Sequence, residues 1–210
     1  MSAGEGELGR QHLIMPHVER GQRVGLFGGS FNPPHEGHVL VSEIAIRRLR
    51  LDQLWWMVTP GNPLKSKRYL APLSERVALS EGLAKDPKIR VTAFEQALGS
   101  SYTAQVLARV KARNPGVHFI WIMGADNLRD FHHWQQWHKI AMTFPIAVID
   151  RPGATLSFLS SVMAKTFDYA RVDERDAPML GALRAPAWTF IHGPRSSLSS
   201  TAIRKQRAEQ

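Results

Sequence analysis

Apolar residues along the chain recur in two alternating patterns. Short, nearly continuous apolar runs at residues 23–29, 54–59, 89–93, 117–123, 145–149 and 188–192 read as strands. Between them, residues 36–50 carry Val39, Leu40, Ile44, Ala45 and Leu49 at helical spacing. Residues 74–84, with Ser74 as the expected N-cap, residues 102–113 and residues 125–140 read as further helices, and a last one starts near Ser200. Strand and helix in regular alternation predict an α/β domain with a mainly parallel sheet, since parallel neighbours need a crossover between them.

Two stretches fall outside the alternation. The first 20 residues mix Gly, Glu, His and Arg without a sustained apolar period and are expected to be a flexible leader before a single domain spanning 21–210. Residues 152–186 are irregular, and no internal repeat is visible.

Composition narrows the functional classes. With 210 residues and 43% hydrophobic content the chain can bury one continuous core. No stretch approaches the roughly 18 consecutive apolar residues of a membrane span, so no membrane association is expected. The absence of cysteine excludes disulfides, thiolate metal sites and a cysteine nucleophile, and suits the reducing cytoplasm, where we expect the protein to act. Lys and Arg number 27 against 18 Asp and Glu, a net charge of +9 that favours anionic partners. Charge alone leaves nucleic acid, acidic lipid and phosphorylated small molecules all open.

The first strand ends in Gly28-Gly29-Ser30-Phe31-Asn32-Pro33-Pro34-His35-Glu36-Gly37-His38, at the carboxyl end of a strand, where open α/β sheets bind ligands. Glycines admit a phosphate close to the backbone, and the helix that follows offers unpaired N–H groups and a positive dipole end. His35 and His38 are three apart and share one face of its first turn. The pattern is neither G-x-G-x-x-G nor G-x-x-x-x-G-K-[ST], which leaves the dehydrogenase and P-loop readings unsupported. Near the C-terminus, Leu198-Ser199-Ser200-Thr201-Ala202-Ile203-Arg204 places hydroxyls ahead of an arginine on a predicted helix, either an ordinary N-cap or a second anion site.

Taken together, these segments resemble the HxGH nucleotidyltransferase superfamily, through its GG[ST]F[DN]PxHxGH signature and its ISSTxIR element. Two further blocks resemble the bacterial nicotinate-nucleotide adenylyltransferases within it: Ser101 to Leu107 (SYTAQVL) and Gly124 to Trp137 (GADNLRDFHHWQQW). The resemblance implies a Rossmann-like open sheet with helices on both faces, and transfer of the adenylyl group of ATP to nicotinate mononucleotide with release of pyrophosphate, in NAD biosynthesis. It assigns His35, His38 and Arg204 to catalysis, where they meet the triphosphate and charge on the reacting α-phosphate. Gly28, Gly29, Ser30, Phe31, Gly37, Asp126, Ser199, Ser200 and Thr201 fall on the ATP side. Asn32, Lys65, Tyr102, Thr103, Ala104 and Trp134 fall on the mononucleotide side, with Trp134 stacked on the pyridine ring and the helix start at 102–104 facing its carboxylate. Mg²⁺ is implied through the ATP phosphates, with no dedicated protein ligand.

Two departures stand out. Asn32 occupies a position where many relatives carry Asp, and Leu64, in Asn62-Pro63-Leu64-Lys65, one where many carry His. His132, His133 and His138 are expected to be exposed helix histidines rather than zinc ligands. The competing enzyme reading is another HxGH adenylyltransferase, acting on a different mononucleotide or on phosphopantetheine. A basic nucleic-acid-binding module is the competing non-enzyme reading, but the six Trp cluster in apolar segments and not along a basic stripe, so no nucleic-acid partner is expected.

Overall fold

The computed structural model describes residues 8–61, 70–100, 102–150 and 160–193. Its six strands are β1 (Arg23–Gly29), β2 (Gln53–Val58), β3 (Ile89–Thr92), β4 (His118–Gly124), β5 (Ile146–Ile149) and β6 (Trp188–Ile191). They form one sheet in the order β3-β2-β1-β4-β5-β6, and every neighbouring pair is parallel. The apolar runs dictate this: a strand covered on both faces has no polar side to alternate with.

Successive strand residues point to opposite faces, so each strand feeds two cores. Leu26, Trp55, Trp121, Val148 and Phe190 join Val106, Leu107 and Val110 of α4 (Thr103–Arg113) and Ile140 and Ala141 of α6 (Trp137–Thr143). On the other face Phe27, Trp56, Ile122 and Ile149 pack with Val41, Ile44 and Ala45 of α1 (Glu36–Arg48) and Val77 of α2 (Leu73–Leu83). Helices therefore lie on both faces.

Several expectations are corrected. α2 starts at Leu73 with Pro72 as N-cap, so Ser74 lies inside it. A five-residue helix, α3 (Phe94–Leu98), was not foreseen; it ends on Gly99 at φ 62°, where glycine suits the left-handed turn. From residue 8 the stretch expected to be a flexible leader is placed against β3. Residues Arg10–Leu13 form a 3₁₀ turn with His12 buried, and the His12 carbonyl accepts from the Ala93 N–H at 2.8 Å and the Thr92 hydroxyl at 3.1 Å. Within the irregular 152–186 stretch, α7 (Val162–Thr166) and a 3₁₀ segment at Glu174–Ala182 cover the sheet, with Ala177 and Leu180 in the core.

The expected helix over 125–140 is broken into α5 (Ala125–Leu128), a 3₁₀ turn at Phe131–His133 and α6. Leu128, Phe131, Trp134 and Trp137 are spaced strictly by three, which drifts around an α-helix but stays in line on a 3₁₀ path. The hydrogen bonds follow that period: Asp130 to Asn127, His133 to Asp130, Trp134 to Phe131 and Trp137 to Trp134, at 3.0–3.2 Å. Gln136 at φ 58° then restarts the chain as α6.

Candidate active site

The strand order runs outward from β1 through β2 to β3 on one side and from β4 through β5 to β6 on the other. The order reverses between β1 and β4, and the crevice at their carboxyl ends is where such sheets bind ligands. Gly28 and Gly29 end β1, and Gly124 ends β4. The sequence-predicted loop therefore sits at the reversal.

Packing gives Gly28 a reason beyond phosphate approach. A Cβ there would stand 2.6 Å from Cη2 of Trp121 on β4, too close for any side chain. Phe31 follows with φ 46°, a left-handed conformation that a bulky residue adopts only when its surroundings compel it. They do: Phe31 is 1% exposed and stacks on Trp56 with ring centroids 5.0 Å apart.

Polar ties fix the remainder of the loop. The Gly29 carbonyl accepts from the Thr59 N–H at 3.0 Å, and the Asn32 Oδ1 accepts from the Ala71 N–H at 3.2 Å. Arg76 of α2 reaches the loop as well: Nη1 donates to the Ser30 carbonyl at 2.6 Å and to the Thr59 carbonyl at 2.8 Å, and Nε donates to the Ala71 carbonyl at 2.9 Å. Asn32 thus ties the loop to the entry of α2 through an acceptor oxygen.

His35 and His38 cap α1 reciprocally. The Gly37 N–H donates to His35 Nδ1 at 3.1 Å, and the His35 N–H donates to His38 Nδ1 at 3.2 Å, an imidazole version of the capping box. A ring nitrogen that accepts an N–H carries no proton, so each neutral ring keeps its proton on Nε2. The rings lie 4.0 Å apart, and His38 packs against Phe31 at 4.7 Å, so neither ring can turn without moving the loop. Gly37 is buried in the same first turn.

On the β4 side, Asp126 is exposed in the first turn of α5. Trp134 is half-buried, edge-on to Trp121 at 6.4 Å and to Phe131 at 5.4 Å, while Phe131 is fully buried. Tyr102 is the N-cap of α4 and is 40% exposed; the Gln105 and Val106 amides bond back to its carbonyl, leaving Thr103 and Ala104 with the first-turn amides that no helical carbonyl can reach. His133 and His138 are exposed and His132 half-buried.

Lys65, Ser199, Ser200, Thr201 and Arg204 lie outside the described residues, as do Leu64 and Ser101. Two groups at the site were not foreseen. Arg76 is 1% exposed, and burial lowers its guanidinium to about 10, still protonated at neutral pH. Glu95 of α3 is also buried; desolvation pushes its carboxyl up to about 7, partly offset by a hydrogen bond with the Thr59 side chain.

A parallel sheet with a glycine-rich, paired-histidine loop at its reversal point defines an α/β domain for handling nucleotides. The sequence profile of the cytidylyltransferase-like family matches residues 26–206, and the chain belongs to that family. It is 77% identical over 191 residues to the "probable nicotinate-nucleotide adenylyltransferase" of Mesorhizobium japonicum, covering 91% of this chain and 98% of that protein. A protein of the same name from Rhizobium johnstonii is 78% identical over 190 residues, 90% of this chain and 96% of that one. Among solved structures, the Plasmodium falciparum nicotinic acid mononucleotide adenylyltransferase complexed with NaAD superposes with a TM-score of 0.65 at 19% identity, over 88% of this chain and 83% of that one. That likeness is one of fold.

Proposed function

We propose that this protein transfers the adenylyl group of ATP to nicotinate mononucleotide, giving nicotinate adenine dinucleotide and pyrophosphate in cytoplasmic NAD biosynthesis. One observation carries the chemistry: the reciprocal histidine cap at the start of α1, in the crevice where the strand order reverses. Identity of 77–78% to relatives named for this activity carries the substrate.

In this reading a phosphate oxygen of the mononucleotide attacks the α-phosphorus of ATP in line, a new P–O bond forms, and the bond to pyrophosphate breaks. The attacking phosphate is already ionised and needs no general base. What remains is to hold two anions together and neutralise charge as it develops. The Nε2 edges of His35 and His38 would supply donors on the ATP side, beside the backbone of Gly28, Gly29, Ser30 and Phe31, with Gly37 buried in the first turn of α1. Arg204, with Ser199, Ser200 and Thr201, would close the triphosphate from the far end of the chain, and Asp126 would meet the adenosine. Trp134 would stack on the pyridine ring, Lys65 and Asn32 would lie towards the mononucleotide, and the amides at Tyr102, Thr103 and Ala104 would hold its carboxylate. Among the described residues no group of three His, Asp or Glu could hold a metal ion. Mg²⁺ would arrive on the ATP phosphate oxygens and water, where it would shield their charge.

Pyrophosphate release measured with nicotinate mononucleotide, nicotinamide mononucleotide and phosphopantetheine tests the reading. An amide in place of the carboxylate sets a donor against backbone donors, a mismatch of about 1 to 3 kcal/mol. The acid should therefore lead the amide by roughly tenfold to a hundredfold in kcat/KM. Equal or better use of the amide would overturn the choice of substrate, and use of phosphopantetheine alone would move the protein to another branch.

A further inference from the structure

We propose that Arg76 is a positioning residue for the reaction: its buried guanidinium sets the backbone of the histidine loop against the end of β2 and the entry to α2. The inference rests on the adenylyl-transfer reading and names a group that reading does not use.

Arg76 comes from α2, yet its three hydrogen bonds all leave that helix's surface for segments around the crevice. They join the Ser30 carbonyl inside the loop, the Thr59 carbonyl just past β2 and the Ala71 carbonyl just before α2. Ala71 in turn donates to Asn32, and Thr59 donates to Gly29, so one side chain closes a ring of five ties around residues 29–32. Burying a cation is expensive unless carbonyls or acids repay it. Among the described residues only carbonyls do, with no salt bridge to it. An apolar residue could fill the same volume at less cost. A planar fork with donors in fixed directions is what the three acceptors require, and lysine cannot reproduce it. Three residues beyond Asn32, the backbone held this way reaches His35, whose ring and amide fix both histidines.

The test compares Arg76→Met and Arg76→Lys with the parent in three measurements: thermal unfolding, steady-state adenylyl transfer per folded molecule well below the midpoint, and amide hydrogen exchange over residues 28–38. A displacement of the loop by an ångström costs on the order of a hundredfold in turnover. Arg76→Met should lose about that in kcat, with the mononucleotide KM moving less than about threefold, since the lost geometry matters in the transition state. Arg76→Lys should fall between. Exchange of the 28–38 amides, Gly37 included, should quicken in both while the β4 and β5 amides stay protected. Parental kcat per folded molecule in either folded variant, or unchanged exchange over 28–38, overturns the proposal. Failure of both variants to fold also overturns it, by assigning Arg76 to stability alone. A parent that transfers no adenylyl group to any mononucleotide would sink the functional reading instead, and the exchange comparison would still decide whether Arg76 holds the loop.

Discussion

The two walls of the crevice are built from different forces. The wall leaving β1 is fixed by hydrogen bonds to named donors and acceptors: Thr59 on Gly29, Arg76 on Ser30, Ala71 on Asn32, and the two histidines on each other. On the wall leaving β4 ring packing predominates: Phe131, Trp134 and Trp137 follow at three-residue intervals and meet edge to face, and Trp134 meets Trp121 of β4 in the same way. Directional bonds hold atoms to a fraction of an ångström, which charge neutralisation at a reacting phosphorus demands. Rings on rings tolerate sliding, which suffices to seat a flat heterocycle. The difference makes separate failures predictable: damage to the first wall should appear in kcat, and damage to the second in the KM of one substrate.

The sharpest way to break the first wall is His38→Ala. It removes a donor and also the acceptor of the His35 N–H, so turnover should fall by about 10²–10³, or roughly 2.7 to 4 kcal/mol, with far less change in unfolding. Turnover near the parent's would detach the histidine pair from the chemistry.

Next in size is a pH effect under the same wall. Glu95 has its carboxyl raised from 4.5 to about 7 by desolvation, with Thr59 partly offsetting. An acid whose pKa rises on folding stabilises the folded state while protonated. That contribution is whole below about 4.5 and is lost as pH climbs through about 7, on the order of 3 kcal/mol in all. Urea unfolding of the parent and Glu95→Gln between pH 4.5 and 8 should give a difference that shifts in favour of the glutamine variant as pH rises. A difference independent of pH would show that Glu95 does not titrate with folding.

Much of this architecture could be read from the chain. Buried parallel strands leave continuous apolar runs, so all six appeared, and the histidines stood out because two of them sit in a Gly/Pro-rich turn. The broken stretch after β4 was missed because Leu128, Phe131, Trp134 and Trp137 satisfy a helical stripe and a 3₁₀ path almost equally over a few turns. Arg76 was missed for a different reason. A lone basic residue in a helical period looks solvated, and nothing local says that its partner carbonyl lies 46 residues earlier, at Ser30. The same holds for Glu95, whose burial is a property of the fold. Lys65, Ser199, Ser200, Thr201 and Arg204 lie outside the described residues and rest on resemblance.

A substitution where the walls touch would sharpen the comparison. Gly28→Ala puts a methyl 2.6 Å from Trp121 Cη2, and Trp121 is edge-on to Trp134. Overpacking of this kind costs about 1 to 3 kcal/mol. Adding Trp121→Phe removes the opposing atom, so the double variant should recover part of that stability, a coupling that a thermodynamic cycle measures. Additive losses would place the strain elsewhere.

The smallest effect falls on the second wall alone. Trp134 is half-buried, unlike Phe131 beneath it, so part of its ring surface is available to a ligand while its edge contacts anchor it. A pyridinium face on indole gains roughly 0.5 to 2 kcal/mol. Trp134→Ala should therefore raise the mononucleotide KM by about twofold to thirtyfold, by the usual conversion of free energy to ratio, and leave the KM for ATP near the parent's. The variant also vacates volume between Trp121 and Phe131, so its midpoint of unfolding will drop somewhat. That loss is shared by every substrate and cannot by itself favour one. Steady-state kinetics with each substrate varied at saturating levels of the other separates the two contributions. If both KM values rose together, Trp134 would be a packing residue like Phe131, and the β4 wall would lose its claim on the pyridine ring.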